Sequence, residues 1–462
     1  MPDELKDHQK ENVEWIQRVR RGLLADEPGL GKSRSAIEGF KGAESVLIVA
    51  PPLILNTGVW NDEVERWGFD DTKYWVAPYS QLNRVKPTAK GGRRPIKVLD
   101  DRWKRHWDAI IVDEAHYIKG RDSMRTWAVQ DLSKRCDSIV LMTGTPIPNW
   151  AHEVFSLLRA INPAEAKRGE ELGSFWRWAR QYFDTSPSVH SDHGLNVGRM
   201  AACTRACATR NADDPCEHYV RFARENFGER YMRHLRDDCL DLPALAFDDV
   251  PTQFSRQTAS DYKTLRDNFA ATIEGNQVLT WSQGAKNVAL DKMTTSPWLL
   301  HKEGEPRGGK FDHLYDDLTG RSAPTLVLAH YRDTVEACNR VAQRAGARTA
   351  FIHGGTTDKQ NADAVRRFKA GTLDVLVGSL ETLAEGLTLT VADTAIFVER
   401  SFKPSRNTQA TYRIHRMGQD KECFIRRYIT PNSVDSRKEK LLNTKTDHQM
   451  RTLTAAEFVK MA

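Results

Sequence analysis

Leu23-Leu24-Ala25-Asp26-Glu27-Pro28-Gly29-Leu30-Gly31-Lys32-Ser33 is an apolar lead-in that runs into a glycine-punctuated turn and closes on Lys-Ser. Turns of this kind expose successive backbone N–H groups to the β- and γ-phosphates of a nucleotide, because glycine lacks the Cβ that would hold the phosphate away. The helix that follows aims its N-terminus at the anion. On this reading Lys32 bridges β- and γ-phosphate oxygens and Ser33 places its hydroxyl on a magnesium ion. The general pattern G-x-x-x-x-G-K-[ST] is not fully met, since Asp26 stands where its first Gly belongs. The competing reading is a glycine-rich turn that binds nothing.

Short apolar runs recur beyond this turn: Val46–Ala50, Ala109–Val112 and Ile139–Met142, then Leu326–Ala329, Asp374–Val377 and Ala395–Val398. They are β-branched and followed by polar or Gly/Pro-bearing turns, as strands buried on both faces of a parallel sheet are. Ligands gather at the carboxyl ends of such strands. The chemistry is therefore expected in Asp26 to Ser33, Pro51-Pro52, Asp113-Glu114-Ala115-His116 and Thr143-Gly144-Thr145-Pro146. The fold class is α/β, with two parallel-sheet lobes. Residues 8 to 20 read as a helix with Val13, Ile16 and Val19 on one face.

Between the two sets of runs the strand rhythm is lost, and aromatic and charged residues such as Phe175-Trp176-Arg177-Trp178 stand at helical spacing. The expected organisation is a first nucleotide-binding lobe over 1–160, a helical insertion over 161–305, a second lobe over 306–445 and a tail over 446–462. Glu303–Gly309 is the linker candidate.

Asp113 and Glu114 end a buried strand with two carboxylates of different reach. Asp113 can hold magnesium through water, while Glu114 can orient and deprotonate the water that attacks a γ-phosphate. An acidic strand end facing solvent is the alternative, and the presence of Lys32 and Ser33 in a neighbouring strand turn weighs against it.

The 462 residues leave room for two or three domains. Lys and Arg (68) outnumber Asp and Glu (62), which suits a polyanionic partner without requiring one. Seven scattered cysteines do not suggest a disulfide framework, so a reducing compartment is expected. There is no apolar stretch of the ~20 residues that cross a bilayer, and the start Met1–Lys6 is too polar for a signal peptide. A soluble, intracellular protein away from membranes is the expectation from these features.

Taken in order, Asp26–Ser33, Asp113–His116, Thr143-Gly144-Thr145-Pro146-Ile147-Pro148-Asn149 and Gln409-Ala410-Thr411-Tyr412-Arg413-Ile414-His415-Arg416-Met417-Gly418-Gln419 resemble the motifs of the Swi/Snf-type ATPases. These are double-stranded DNA translocases of helicase superfamily 2, built from two RecA-like lobes. Val49–Leu53, Trp60–Trp67, Ala77–Ser80, Ser296–Leu300 and His353-Gly354-Gly355 extend the resemblance from Gln9 to about residue 445. Glu385–Thr390 is most similar to the fork-remodelling and annealing branch, although Ala384-Glu385 departs from the usual small residues.

The resemblance implies ATP and magnesium as cofactors, with Gln9 reading adenine and Asp26, Glu27, Gly29, Leu30, Gly31, Lys32, Ser33 and Gly386 at the nucleotide. Ser33 and Asp113 would hold the metal. Lys32, Asp113, Glu114, Arg413 and Arg416 would be catalytic, the two arginines lying three apart on one helical face and neutralising γ-phosphate charge. It further implies coupling through Thr143, Gly144, Gln409 and Gln419. Double-stranded or branched DNA would be gripped through its phosphates at Pro51, Asn56, Tyr79, Ser80, Thr145, His330, Arg332, His353, Gly354 and Thr388. No reader domain is recognisable, so targeting is expected from the insertion or from a recruiting protein. The expectation is a cytoplasmic, DNA-associated monomer of bacterial or viral source; a eukaryotic source would make the protein nuclear. A strand-separating helicase and a nucleotide-gated DNA-binding scaffold without turnover are the competing functions.

Cys203, Cys207, Cys216 and His218, with His190, His193 and Cys239 nearby, supply two short ligand pairs flanking a loop. They could form a tetrahedral structural zinc site. Reduced thiols in an Arg-rich surface segment are the alternative.

Overall fold

The structure is a computed structural model, described here for all residues except 1–3, 57, 69–71, 87–95, 168, 188–194, 202, 204–206, 208–215, 384–386 and 462. The chain forms two compact units, one of residues 1–240 with 445–462 and one of residues 241–444.

The first unit is built on six parallel strands: β1 (Arg21–Leu24), β2 (Ser45–Ala50), β3 (Lys73–Pro78), β4 (Trp107–Val112), β5 (Cys136–Met142) and β6 (Tyr231–Met232). Their order is β6-β1-β5-β4-β2-β3. Side chains alternate between two cores. Leu47, Val49, Ile110, Val112, Ile139 and Leu141 enter one, and Val46, Ile48, Ala109, Ile111, Val140 and Met142 enter the other. This is why the strands read as unbroken apolar runs. Each fully buried Val, Ile or Leu contributes about 1.5–3 kcal/mol. Because β1, β5 and β4 are neighbours, the turns that follow them share one edge of the sheet.

The second unit repeats the plan with β7 (Leu245–Pro251), β8 (Thr325–Ala329), β9 (Thr349–Ile352), β10 (Val375–Ser379), β11 (Thr394–Phe397) and β12 (Cys423–Ile429), all parallel, in the order β7-β12-β11-β8-β10-β9. Leu326, Leu328, Leu376 and Phe397 fill one core; Val327, Ala329, Val377 and Ile396 fill the other.

The stretch 161–305 is divided between the units at Leu240 and is not uniformly helical. It contains the antiparallel hairpins Phe183–Pro187/Leu195–Met200 and Ala270–Ile273/Asn276–Leu279, together with the edge strands β6 and β7. Glu303–Gly309 is a loop within the second unit, with positive φ at Gly304, Gly308 and Gly309. The C-terminal helix Val434–Met461 returns Leu453, Ala455 and Ala456 to the core of the first unit.

The helix Asp7–Val19 forms as expected, but its buried face is His8, Gln9, Asn12, Trp15 and Ile16, with Val13 and Val19 only half-buried. Polar side chains turn inward because they have partners in the phosphate-type turn. Among the described residues, no helix is long and apolar enough to cross a membrane.

Candidate active site

The turn after β1 takes positive φ at Gly29 (96°) and Gly31 (76°), and the helix Lys32–Gly39 starts at once from Gly31. Positive φ is the conformation glycine adopts without penalty. Space is a second constraint, since a Cβ on Gly31 would lie 2.3 Å from Gln9 Nε2. Gln9 donates to the Leu30 carbonyl (3.3 Å) and accepts from the Lys6 amide (3.1 Å), while the His8 ring meets the same Leu30 carbonyl at 2.9 Å. Lys32 Nζ donates to the carbonyls of Asp26 (2.7 Å) and Glu27 (3.1 Å).

Asp26 and Glu27 are bound to protein groups. The Asp26 carboxylate is fully buried and accepts from Asn12 Nδ2 (2.6 Å), the His234 amide (2.8 Å) and His234 Nδ1 (3.0 Å). Glu27 accepts from the Arg236 amide (3.0 Å) and from Arg233 (3.3 Å), which also bonds Glu457 of the C-terminal helix. Asn12, Arg233, His234 and Arg236 therefore pin the turn from outside, and no motif in the sequence marks them.

Asp113 follows β4. Its carboxylate accepts from Trp60 Nε1 (3.0 Å) and the Glu114 amide (2.8 Å). Burial and the charge of Glu114 push its pKa up to about 7, against the opposing pull of Trp60, the Glu114 amide and Lys32. Glu114 sits in the left-handed region (φ 48°) and reaches His116 Nδ1 at 3.2 Å, which in turn lies 3.2 Å from Thr143 Oγ1. Thr143 accepts from the Thr145 amide (3.1 Å). A Cβ on Gly144 would come within 2.7 Å of Pro28 Cγ, so this segment lies directly against the phosphate-type turn. Glu114, His116, Thr143, Gly144 and Pro28 thus form one continuous line of contacts.

Tyr79 is buried, donates its hydroxyl to the Asp113 carbonyl (2.7 Å) and stacks on Tyr117 with ring centroids 5.5 Å apart. It braces the acidic turn, with Ser80 exposed beside it. Pro51 and Thr145 are buried, and Asn56 ends the short helix Pro52–Asn56. These groups fit magnesium and nucleotide phosphates. Two crowded carboxylates offer hard oxygen donors, and Gly29 to Ser33 offer amides and the Lys32 cation. Ser33 and Asp113 would hold the ion, which supplies charge neutralisation to the phosphates.

In the second unit the helix Pro404–Thr411 carries buried Gln409 and stops before the two arginines. Arg413 and Arg416 therefore do not share a helical face and lie on a turn. They still converge, because Arg413 donates to the carbonyls of Leu383 (3.0 Å) and Leu387 (3.3 Å), and Arg416 also donates to Leu387 (3.4 Å). Gln419 staples the turn, donating to the carbonyls of Ala392 (2.9 Å) and Ile414 (3.0 Å) and accepting from the amides of Asp420 and Lys421. Gly386 lies outside the described residues.

Arg332 is exposed beside Gly354, where a Cβ would meet its Nη2 at 3.3 Å. His353 is buried, held by Glu336 (3.1 Å) and the Gly355 amide (3.0 Å). His330 and Thr388 are half-buried. The His330 and Tyr331 amides (2.9 and 3.0 Å) both donate to Glu399, a residue the sequence does not single out. Cys203, Cys207, Cys216 and His218 converge in the first unit, with their ligand atoms all within 4.8 Å of one another.

Residues 8–226 match the SNF2-related domain, and residues 309–418 match the helicase conserved C-terminal domain. The chain is 23% identical, over 98% of its length, to the "DNA annealing helicase and endonuclease ZRANB3" of Bos taurus and of Homo sapiens, of which it covers 41%. It is 23% identical, over 96% of its length, to the "ISWI chromatin-remodeling complex ATPase ISW1" of Saccharomyces cerevisiae, of which it covers 40%. It thus spans less than half the length of these relatives. A solved structure, the Sulfolobus solfataricus SWI2/SNF2 ATPase core in complex with dsDNA, is similar at a TM-score of 0.40 and 18% identity, covering 100% of this chain and 96% of that one. These curated relatives are eukaryotic and lend no support to a bacterial or viral source. With the two halves of the helicase-like engine in their order along most of its length, the chain belongs to the SNF2 family of helicase-like ATPases.

Proposed function

We propose that the chain is an ATP-driven translocase on double-stranded DNA that remodels forks, branched DNA or protein–DNA complexes, and that DNA stimulates its ATP hydrolysis. The observation that carries the reading is the pair Asp113–Glu114. Two crowded carboxylates, one with its pKa raised to about 7, lie on a turn in line with the Lys32 turn and offer their oxygens to a cation. Lys32 neutralises phosphate charge, and Glu114 orients and deprotonates the attacking water. Arg413 and Arg416 stabilise charge developing on the γ-phosphate, an effect on the order of 10³–10⁵ in nucleotide hydrolases.

DNA as the partner is supported by the family, by relatives whose names describe action on DNA and chromatin, and by a net charge of +6. Arg332, Gly354, Thr388 and Ser80 would grip phosphates without reading bases, which gives stepping that is independent of sequence. ATP turnover compared across single-stranded, duplex, forked and four-way-junction DNA tests the proposal, alongside displacement of a third strand from a triplex. Stimulation by duplex or branched DNA, with third-strand displacement and no separation of the duplex, is expected. Turnover indifferent to every DNA overturns the reading, and separation of the duplex strands replaces it with a helicase.

A further inference from the structure

The geometry points to a structural zinc site in the first unit, formed by Cys203, Cys207, Cys216 and His218. Cys203 Sγ and Cys216 Sγ lie 3.6 Å apart, Cys216 Sγ and His218 Nδ1 3.6 Å, and Cys207 Sγ and His218 Nδ1 3.8 Å. All four donor atoms lie within 4.8 Å of one another. A tetrahedral ion with Zn–S bonds of about 2.3 Å and Zn–N bonds of about 2.0–2.1 Å holds its donors about 3.5–3.8 Å apart.

A disulfide, an iron–sulfur cluster and a plain hydrogen-bond network each fit the four groups less well than zinc does. The sulfur separation is far beyond the ~2.05 Å of a disulfide, and a disulfide would use two donors where four converge. A two-iron cluster spreads its ligands over two metal atoms, which is wider than this set. A plain hydrogen-bond network would place both Cys207 and Cys216 on the single hydrogen or lone pair of His218 Nδ1. Three thiolates and an imidazole favour zinc over harder, oxygen-seeking cations.

The position gives the ion a task. Cys203 follows the strand Leu195–Met200, and Cys216 and His218 open the helix Glu217–Asn226, whose Tyr219, Phe222 and Ala223 enter the core. Cys207 and Cys203 pack against the same core, and the Cys207 carbonyl accepts from Arg451 Nη1 (2.7 Å) on the C-terminal helix. The ion fastens the hairpin to the helix and presents the carbonyl on which the C-terminal helix docks. This role is independent of the ATP and DNA readings.

Elemental analysis of the full chain, purified without added metal or chelator, tests it. About one zinc per chain is expected in the parent and in His218→Cys, which keeps four ligands, and less than about 0.2 in His218→Ala and Cys216→Ser. Cobalt exchanged into the parent should give the intense visible bands of a tetrahedral sulfur-ligated ion, shifted in His218→Cys. A chelator should lower the melting temperature, and zinc but not magnesium should restore it. Less than about 0.2 zinc per parent chain with no such cobalt spectrum overturns the site, as does a Cys203–Cys216 disulfide in the intact protein or full zinc retention by Cys216→Ser.

Discussion

Asp113 and Glu399 each lie just past the end of a buried parallel strand, β4 in the first unit and β11 in the second; burial and a neighbouring carboxylate raise the pKa of both, and they differ in how fully they are hydrogen-bonded. Glu399 is saturated, since His330 and Tyr331 donate backbone amides to one oxygen, while Thr295 (2.9 Å) and Thr334 (2.8 Å) donate hydroxyls to the other. Among the described residues Asp113 receives two such bonds, and burial together with the second carboxylate beside it pushes its pKa up to about 7. One sheet plan thus serves two ends. Where donors fill the carboxylate it organises the loop, and where they do not, the unbalanced charge is left for a ligand cation.

That contrast can be broken in several ways. Glu114→Gln should lower ATP turnover by about 10²–10⁴-fold while leaving urea unfolding close to the parent. A loss of stability without loss of turnover would make Glu114 a structural residue. Glu399→Gln should do the reverse, costing about 1–3 kcal/mol in urea unfolding because an amide NH₂ then faces groups that donate, with nucleotide affinity unchanged.

The pH dependence sharpens the difference further. The Asp113 pKa is raised in the folded state, so its contribution to stability is fully present below the unfolded value near 4 and is lost as the pH rises through about 7. A cation selects the ionised form, so magnesium-dependent nucleotide affinity should rise about tenfold per unit at most as the pH approaches 7, then level off. Calorimetry in buffers of different ionisation enthalpy should record proton release at pH 6 and little at pH 8.5. Gly354→Ala should have the smallest effect, because the new methyl meets only the movable end of Arg332. Duplex affinity should weaken by about threefold or less, with DNA-free turnover unchanged.

The central strands of both sheets are legible in the sequence because each is buried on two faces, which writes an apolar run. β7 is not, since Leu245–Pro251 is an edge strand with four consecutive exposed residues and no such run. β6 has only two residues. The valines of the first helix betray its period, but polar partners decide its orientation: Gln9 and Asn12 turn inward to Leu30 and Asp26.

Within the site, the glycine turn and Asp113-Glu114 announce themselves as local patterns. Their supports do not, because His234 and Arg236 reach Asp26 and Glu27 across about two hundred residues, and Trp60 and Tyr79 look like ordinary core aromatics until they are found on Asp113. The spacing of Arg413 and Arg416 suggests a helix, yet that helix ends two residues before the first of them, and a shared carbonyl at Leu387 brings them together instead. The Cys/His spacing suggests four ligands, but only the folded chain brings their donor atoms together.

The central claim is that Lys32 and the carboxylates in line with it form an ATP-hydrolysing site that DNA switches on. Steady-state ATP turnover of the parent and of Lys32→Ala, each with and without duplex DNA, tests it most directly. The account predicts a rise of at least about tenfold with DNA in the parent and a loss of at least about 100-fold in Lys32→Ala under both conditions. Turnover in the parent that ignores DNA, or a Lys32→Ala chain that hydrolyses ATP like the parent, would contradict it.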